Sequence, residues 1–353
     1  MNMFRMGAVA ALAMAVAAFG SIGSGKAEDL VIAGEKIATE AMWESAKKEG
    51  VLVHYGTYGM DLMKIIHAGF TKDTGIKVEY VRLSGANVYQ RVLSENSAGK
   101  LAADLVDLTD LVQINDFVAK GILAPHKVPG FDSIAADLKD PQGYWYGLVR
   151  PISLLAINTA RIKEADAPKS WKDLLDPKYD GLVGTNNIDG GSALSMFSFL
   201  RQKVDEDYWK KLAARKPKIY DGIAPLTTDL TRGEIGVATG PISEVVLSQM
   251  AAGAPVKVIF PSEGIPSFQI PAGITKTATH PNAAALYLNW ATSKRGGDLI
   301  ASVGAYPLNA SSNRPVKSGV EYPPYSEVWT LSADAWKTNA DNYRKTWLTT
   351  FGR

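Results

Sequence analysis

The sequence predicts an α/β protein of two lobes joined by a hinge, and three observations carry that reading. Apolar strand-like runs alternate with helical periodicity three times between residues 51 and 120, as in a mainly parallel sheet. Strands and helices alternate again after residue 180, around different loops. Between the two sets, residues 145–158 read as two strand pieces with Pro151 between them. Proline cannot donate to a sheet ladder, so pairing breaks beside Arg150 and the chain passes from one sheet to another. A ligand cleft is expected there.

The elements follow in order. Residues 35–49 place Ile37, Ala38, Ala41, Met42 and Ala46 on one helical side, and Gly50 ends the helix. Strand 51–55 is followed by the loop Gly56-Thr57-Tyr58-Gly59 and a helix over 60–71. Strand 75–81 leads through Ser84-Gly85-Ala86-Asn87 into a helix over 88–97. Strand 105–108 ends at Thr109-Asp110, which opens a helix reaching Lys120. In parallel sheets ligands sit beyond the carboxyl ends of the strands, where these three loops gather. After the hinge come a short helix at 170–175, strand 182–185, and the loop from Asn186 to Ser192 with its helix. Helix 208–215, strand 218–220, helix 228–232 and strand 235–239 succeed them. A helix opening at Ser243, strand 256–260, a return crossing at 268–274 and an apolar helix at 281–293 complete the set. The tail, 306–353, is expected to pack as helices. Lobe one is assigned 28–150 and 270–305, and lobe two 151–269 and 306–353.

Residues 1–27 read as a cleaved export leader. Arg5 is followed by a short apolar run and then small residues ending at Ala27. Gly20, Gly25 and Lys26 fit part of a phosphate-loop pattern, but Ala27 stands where that motif needs Ser or Thr. Later runs are too short or too charged for a membrane span. The 38 basic and 36 acidic residues give a net charge of +2, which supplies no broad field for nucleic acid. The chain has no cysteine, which removes thiol catalysis and cysteine metal sites.

Several stretches carry a family resemblance. They are Met42-Trp43-Glu44-Ser45-Ala46-Lys47-Lys48-Glu49-Gly50 before a strand, Lys120-Gly121-Ile122-Leu123, and the run from Trp171 to Gly181. Ala251-Ala252-Gly253-Ala254-Pro255-Val256 leads to Pro261-Ser262-Glu263-Gly264, and His280-Pro281-Asn282-Ala283-Ala284 comes last. In this order and spacing the chain resembles the extracellular solute-binding proteins of ABC importers, in the branch holding ferric-iron, phosphonate, thiamine and polyamine binders. The resemblance implies a type II-like periplasmic binding protein fold: two α/β lobes, crossover strands as a hinge, and closure around one solute. It also implies an anion-holding loop at Gly190, Gly191 and Ser192. Ferric-binding relatives carry a tandem tyrosine where this chain has Ser243 and Glu244.

The candidate ligand-binding residues are Thr57, Tyr58, Ser84, Gly85, Asn87, Thr109, Asp110, Arg150, Gly191, Ser192, Ser243 and Glu244. The loop residues either cap their helices or present free N–H groups to an anion. Arg150 either grips a carboxylate or phosphonate through two parallel hydrogen bonds or pairs with an acidic neighbour. Tyr144, Trp145 and Tyr146 either stack on a ligand or belong to the core. The four histidines are dispersed, and no His-Glu-x-x-His or Gly-x-Ser-x-Gly occurs. The expected function is a monomeric periplasmic receptor that takes a small anionic solute, an organic phosphonate or carboxylate, to a membrane permease. No cofactor or resident metal is expected. Ferric iron is the alternative cargo, and an exported carboxylate-using hydrolase is the alternative of another class.

Overall fold

The computed structural model describes residues 28–188 and 190–352. The expected leader, residues 1–27, lies outside the described residues. Two sheets organise the chain. The first runs in the order Tyr306–Pro307, Tyr146–Arg150, Ile270–Thr275, Leu105–Asp107, Val51–Gly56, Lys77–Arg82. Val51–Gly56 is parallel to both of its neighbours, whereas Ile270–Thr275 is antiparallel to all three of its partners, the third being the short Leu123–Ala124. The second sheet runs Lys218–Tyr220, Val183–Asn186, Val237–Ile242, Ser153–Asn158, Val256–Ile259. Leu154, Leu155, Ala156 and Ile157 are wholly buried, as an apolar strand covered on both faces requires.

The hinge lies at the proline break. Tyr146–Arg150 belongs to the first sheet and Ser153–Asn158 to the second. The return passage runs alongside: Ile152 bridges Ser267, and the Phe268 N–H donates to the Pro151 carbonyl at 3.2 Å. The Ser243 N–H donates to the Ile152 carbonyl at 3.2 Å, which ties the start of helix Ser243–Ala251 to the hinge.

Local chemistry explains where the elements differ from expectation. The first helix is Glu40–Glu49, with Thr39 Oγ1 accepting from the Met42 N–H and Gly50 closing it at φ +74°. The preceding residues form a hairpin instead, Leu30–Ile32 against Glu35–Ala38. Ala33 and Gly34 turn it with φ of 51° and 83°. Ile37 and Ala38 are buried as the apolar pattern requires, but on a strand. The helix expected at 228–232 begins earlier, at Ile223, after Gly222.

The tail corrects one boundary. Tyr306–Pro307 pairs with Arg150 and Val149 at the edge of the first sheet, so the second lobe does not begin at 306. Val328–Thr330 then pairs in parallel with Ile265–Ser267 beside the hinge. Helix Ala333–Phe351 packs on Leu111–Ala119 of the first lobe and on Gly191–Phe199 and Tyr208–Ala214 of the second. Its Trp347 is buried edge-on against Trp209, ring centres 5.1 Å apart. Rings of this size bury about 150–250 Å² each, so the helix is a strap held by core packing.

Candidate functional site

Four helices begin around one inter-lobe cavity of about 320 Å³. Gly85–Ser97 and Leu111–Ala119 come from the first lobe, Gly191–Phe199 and Ile223–Arg232 from the second. Each follows a strand of its sheet, so the α/β topology delivers all four N-termini to one place. Ser84, Gly85, Thr109, Asp110, Gly191 and Ser192 all line the cavity. The two first-lobe helices are capped: Ser84 Oγ accepts from the Asn87 N–H and Asp110 Oδ1 from the Val112 N–H. The two second-lobe helices start after Gly190 and Gly222 and have no side-chain cap among the described residues. Their first N–H groups therefore lack the usual internal acceptor and suit an oxyanion. Among the described residues no lysine or arginine lines the cavity. The lobes approach closely here, since a Cβ on Gly191 would stand 2.2 Å from the Thr109 carbonyl oxygen.

Sequence reasoning missed Asn186, Asn187, Asp221 and Gly222 in this lining. The signal was available: Asp221-Gly222 follows strand Lys218–Tyr220 and precedes a helix, the arrangement used for the first lobe. Asn186 is 3% exposed, and its Oδ1 has no hydrogen-bond partner. Asp110 is engaged structurally. Besides its cap, it accepts from Trp336 Nε1 at 3.0 Å and from Arg344 Nη2 at 3.3 Å, both on the C-terminal strap.

Tyr58, Ser243 and Glu244 form a second cluster. The Tyr58 hydroxyl donates to Glu244 Oε1 at 2.6 Å, joining the lobes, and Ser243 Oγ donates to Oε2 at 2.8 Å. Glu244 is fully buried, which pushes its carboxyl up to about 7. Burial, reinforced by Glu244, raises the Tyr58 phenol well above its ordinary value. Lys317 and Tyr322 crowd the same carboxylate across Gly304, where a Cβ would meet all three side chains. Thr57 turns away: its N–H and hydroxyl both donate to Asp107 Oδ1, at 2.8 and 2.6 Å. Asp107 Oδ2 lies 2.9 Å from His54 Nε2, and His54 Nδ1 is 3.3 Å from His67 Nε2. Burial, then His54, hold the His67 imidazole far below the ordinary histidine range. Thr57 thus fixes the loop from beneath.

Two expected residues stand apart. Asn87 is exposed on its helix and does not line the cavity, because the first turn carries its side chain outward. Arg150 lines a separate cavity behind the hinge, because its strand continues into the pairing with Tyr306 and directs the side chain toward Pro307 and Tyr325. Trp145 and Tyr146 belong to the core, the Trp145 indole donating to Asn115 Oδ1 at 3.0 Å.

Two α/β lobes, a two-passage hinge and helix starts facing a cavity define a solute receptor. Comparison with known proteins agrees. The profile of the bacterial extracellular solute-binding proteins matches residues 102–338, and the chain belongs to that family. It is a solute-binding protein of an ABC importer and not an enzyme. The Fe(3+)-binding periplasmic protein of Serratia marcescens is 21% identical over 76% of this chain and 83% of its own length. A putative 2-aminoethylphosphonate-binding periplasmic protein of Salmonella paratyphi A is 29% identical over 55% of this chain and 56% of its own. Among solved structures, a substrate binding protein of an ABC transporter from Agrobacterium tumefaciens superposes with a TM-score of 0.72 at 15% identity, over 85% of this chain and 94% of that one. AfuA from Actinobacillus pleuropneumoniae, with fructose-6-phosphate bound, gives 0.68 at 21% identity, covering 86% and 99%. No helix among the described residues is long and apolar enough to cross a membrane.

Proposed function

We propose that this receptor captures a small anionic solute, an organic phosphonate or carboxylate, in the cavity between its lobes and passes it to a permease. One observation carries the reading: the starts of Gly191–Phe199 and Ile223–Arg232, without side-chain caps among the described residues, face the cavity from the second lobe. Each exposed helix start contributes about 0.3–1 kcal/mol toward an anion, so convergence is what makes the site useful. Gly191 and Gly222 let an oxyanion approach the backbone, and Ser84, Thr109 and Ser192 add hydroxyl donors. Asp221 offers a countercharge for an amino group, and a relative described as a 2-aminoethylphosphonate binder supports an amino-substituted acid. The protein acts as a monomer, exported by cleavage of residues 1–27. Native mass spectrometry of protein purified without unfolding tests the reading. A single bound small acid is expected, and a cationic or neutral solute counts against it.

Ferric iron is the second reading, favoured by the relative described as Fe(3+)-binding and by two oxygens, from Tyr58 and Glu244, meeting across the lobes. Against it, burial keeps that phenol protonated, and Ser243 supplies only a hydroxyl.

A further inference from the structure

The cavity behind the hinge has a volume of about 750 Å³ and is distinct from the inter-lobe site. Ile37, Leu138 and Leu308 give it apolar walls, and Arg150 and Tyr325 line it with polar groups. Arg150 has no ion-pair partner among the described residues. Its Nε is buried without a hydrogen-bond partner, and its Nη2 makes only a 3.4 Å bond to the Pro307 carbonyl. Tyr325 is the guanidinium's neighbour: its ring centre is 5.4 Å from Cζ, and its buried hydroxyl interacts with Arg150 without reaching good hydrogen-bond geometry. The other charged groups in the wall are engaged. Glu35 Oε2 accepts from the Lys294 N–H at 2.8 Å, and Lys36 pairs with Asp29. Asp137 acts on Arg150 only at a distance.

A half-buried guanidinium without a carboxylate is costly, and its planar edge matches a carboxylate in bidentate fashion. We propose a second ligand site in this cavity, where the open Nη edge of the Arg150 guanidinium holds the oxyanion of an organic carboxylate and the apolar walls take its body. The site stands independently of the inter-lobe solute. Its place couples it to closure. Arg150 ends the strand entering the hinge, and Tyr325 lies just before Val328–Thr330, which pairs with the returning passage. A carboxylate on Arg150 therefore binds directly beside the hinge.

Heteronuclear NMR tests this with benzoate as the probe and its neutral analogue benzamide as the control. The Arg150 Nε–H signal is assigned by its loss in Arg150→Gln. Benzoate is expected to shift that signal saturably with a Kd of about 1 mM or tighter, while benzamide binds at least about tenfold more weakly. No saturable shift, or equal binding of benzamide, overturns the proposal. Where Arg150→Gln fails to fold, Arg150→Lys, which keeps the positive charge and also lacks the Nε–H, assigns the signal, and a benzoate response that leaves the assigned signal unmoved overturns the proposal.

Discussion

The Tyr58 hydroxyl and Glu244 Oε1 meet at 2.6 Å across the two lobes, with the carboxylate fully buried. Tyr58 follows the first strand of one sheet, and Glu244 opens a helix tethered to the hinge. The bond therefore ties the two lobes together here, and its strength depends on the ionisation of Glu244.

Burial raises Glu244 from 4.5 to about 7, so the folded protein holds a proton that the unfolded chain releases near 4.5. Stability from this group is present below about pH 4.5 and is lost as pH rises through about 7. The shift corresponds to roughly 3 kcal/mol at most. Lys317, Tyr322 and Tyr58 all bear on the carboxylate, and Lys317 moderates the loss by favouring the charged form. Urea unfolding at pH 5 and pH 8 should show a smaller decline in Glu244→Gln than in wild type. Identical declines contradict the assignment.

Asp110 anchors the strap. Asp110→Ala removes a helix cap together with its bonds to Trp336 and Arg344. A lost cap alone costs about 0.5–2 kcal/mol, so the variant should unfold at lower urea whether or not solute is present. An unchanged midpoint with weakened solute binding would instead make Asp110 a ligand contact.

The strand-loop-helix pattern made the sheets legible, because buried apolar runs and helical periodicity are local signals. Pro151 marked the hinge because a missing donor acts at one position. The loops at Ser84 and Thr109, which line the cavity, were legible through the same topology, and the one at Gly191 through the family resemblance. Arg150 was not: its strand position was read correctly, but the direction of its side chain depends on Tyr306–Pro307, distant in sequence and expected in the other lobe. Glu244 was named as a ligand residue, yet its partner Tyr58 lies on a loop 186 positions away. Asp221 and Gly222 were passed over because the helix after them was expected to begin later than Ile223.

Iron binding is expected to leave no colour. Ferric citrate added to the metal-free protein should produce no tyrosinate-to-iron absorption band, since Tyr58 is kept protonated by burial and Glu244. A stoichiometric visible band that disappears in Tyr58→Phe establishes iron as the cargo.

Gly191 gives the most direct test of anion capture between the lobes. In Gly191→Ala the new Cβ would fall 2.2 Å from the Thr109 carbonyl oxygen, so the lobes must stay farther apart while each keeps its own sheet. Calorimetric titration of wild type and variant with a panel of organic phosphonates and carboxylates, beside their uncharged esters, is the measurement. The account predicts saturable one-to-one binding of at least one acid, no binding of its ester, and affinity in Gly191→Ala weaker by at least about tenfold, near 1.4 kcal/mol. Binding confined to neutral or cationic solutes, or an affinity unchanged in Gly191→Ala, contradicts it.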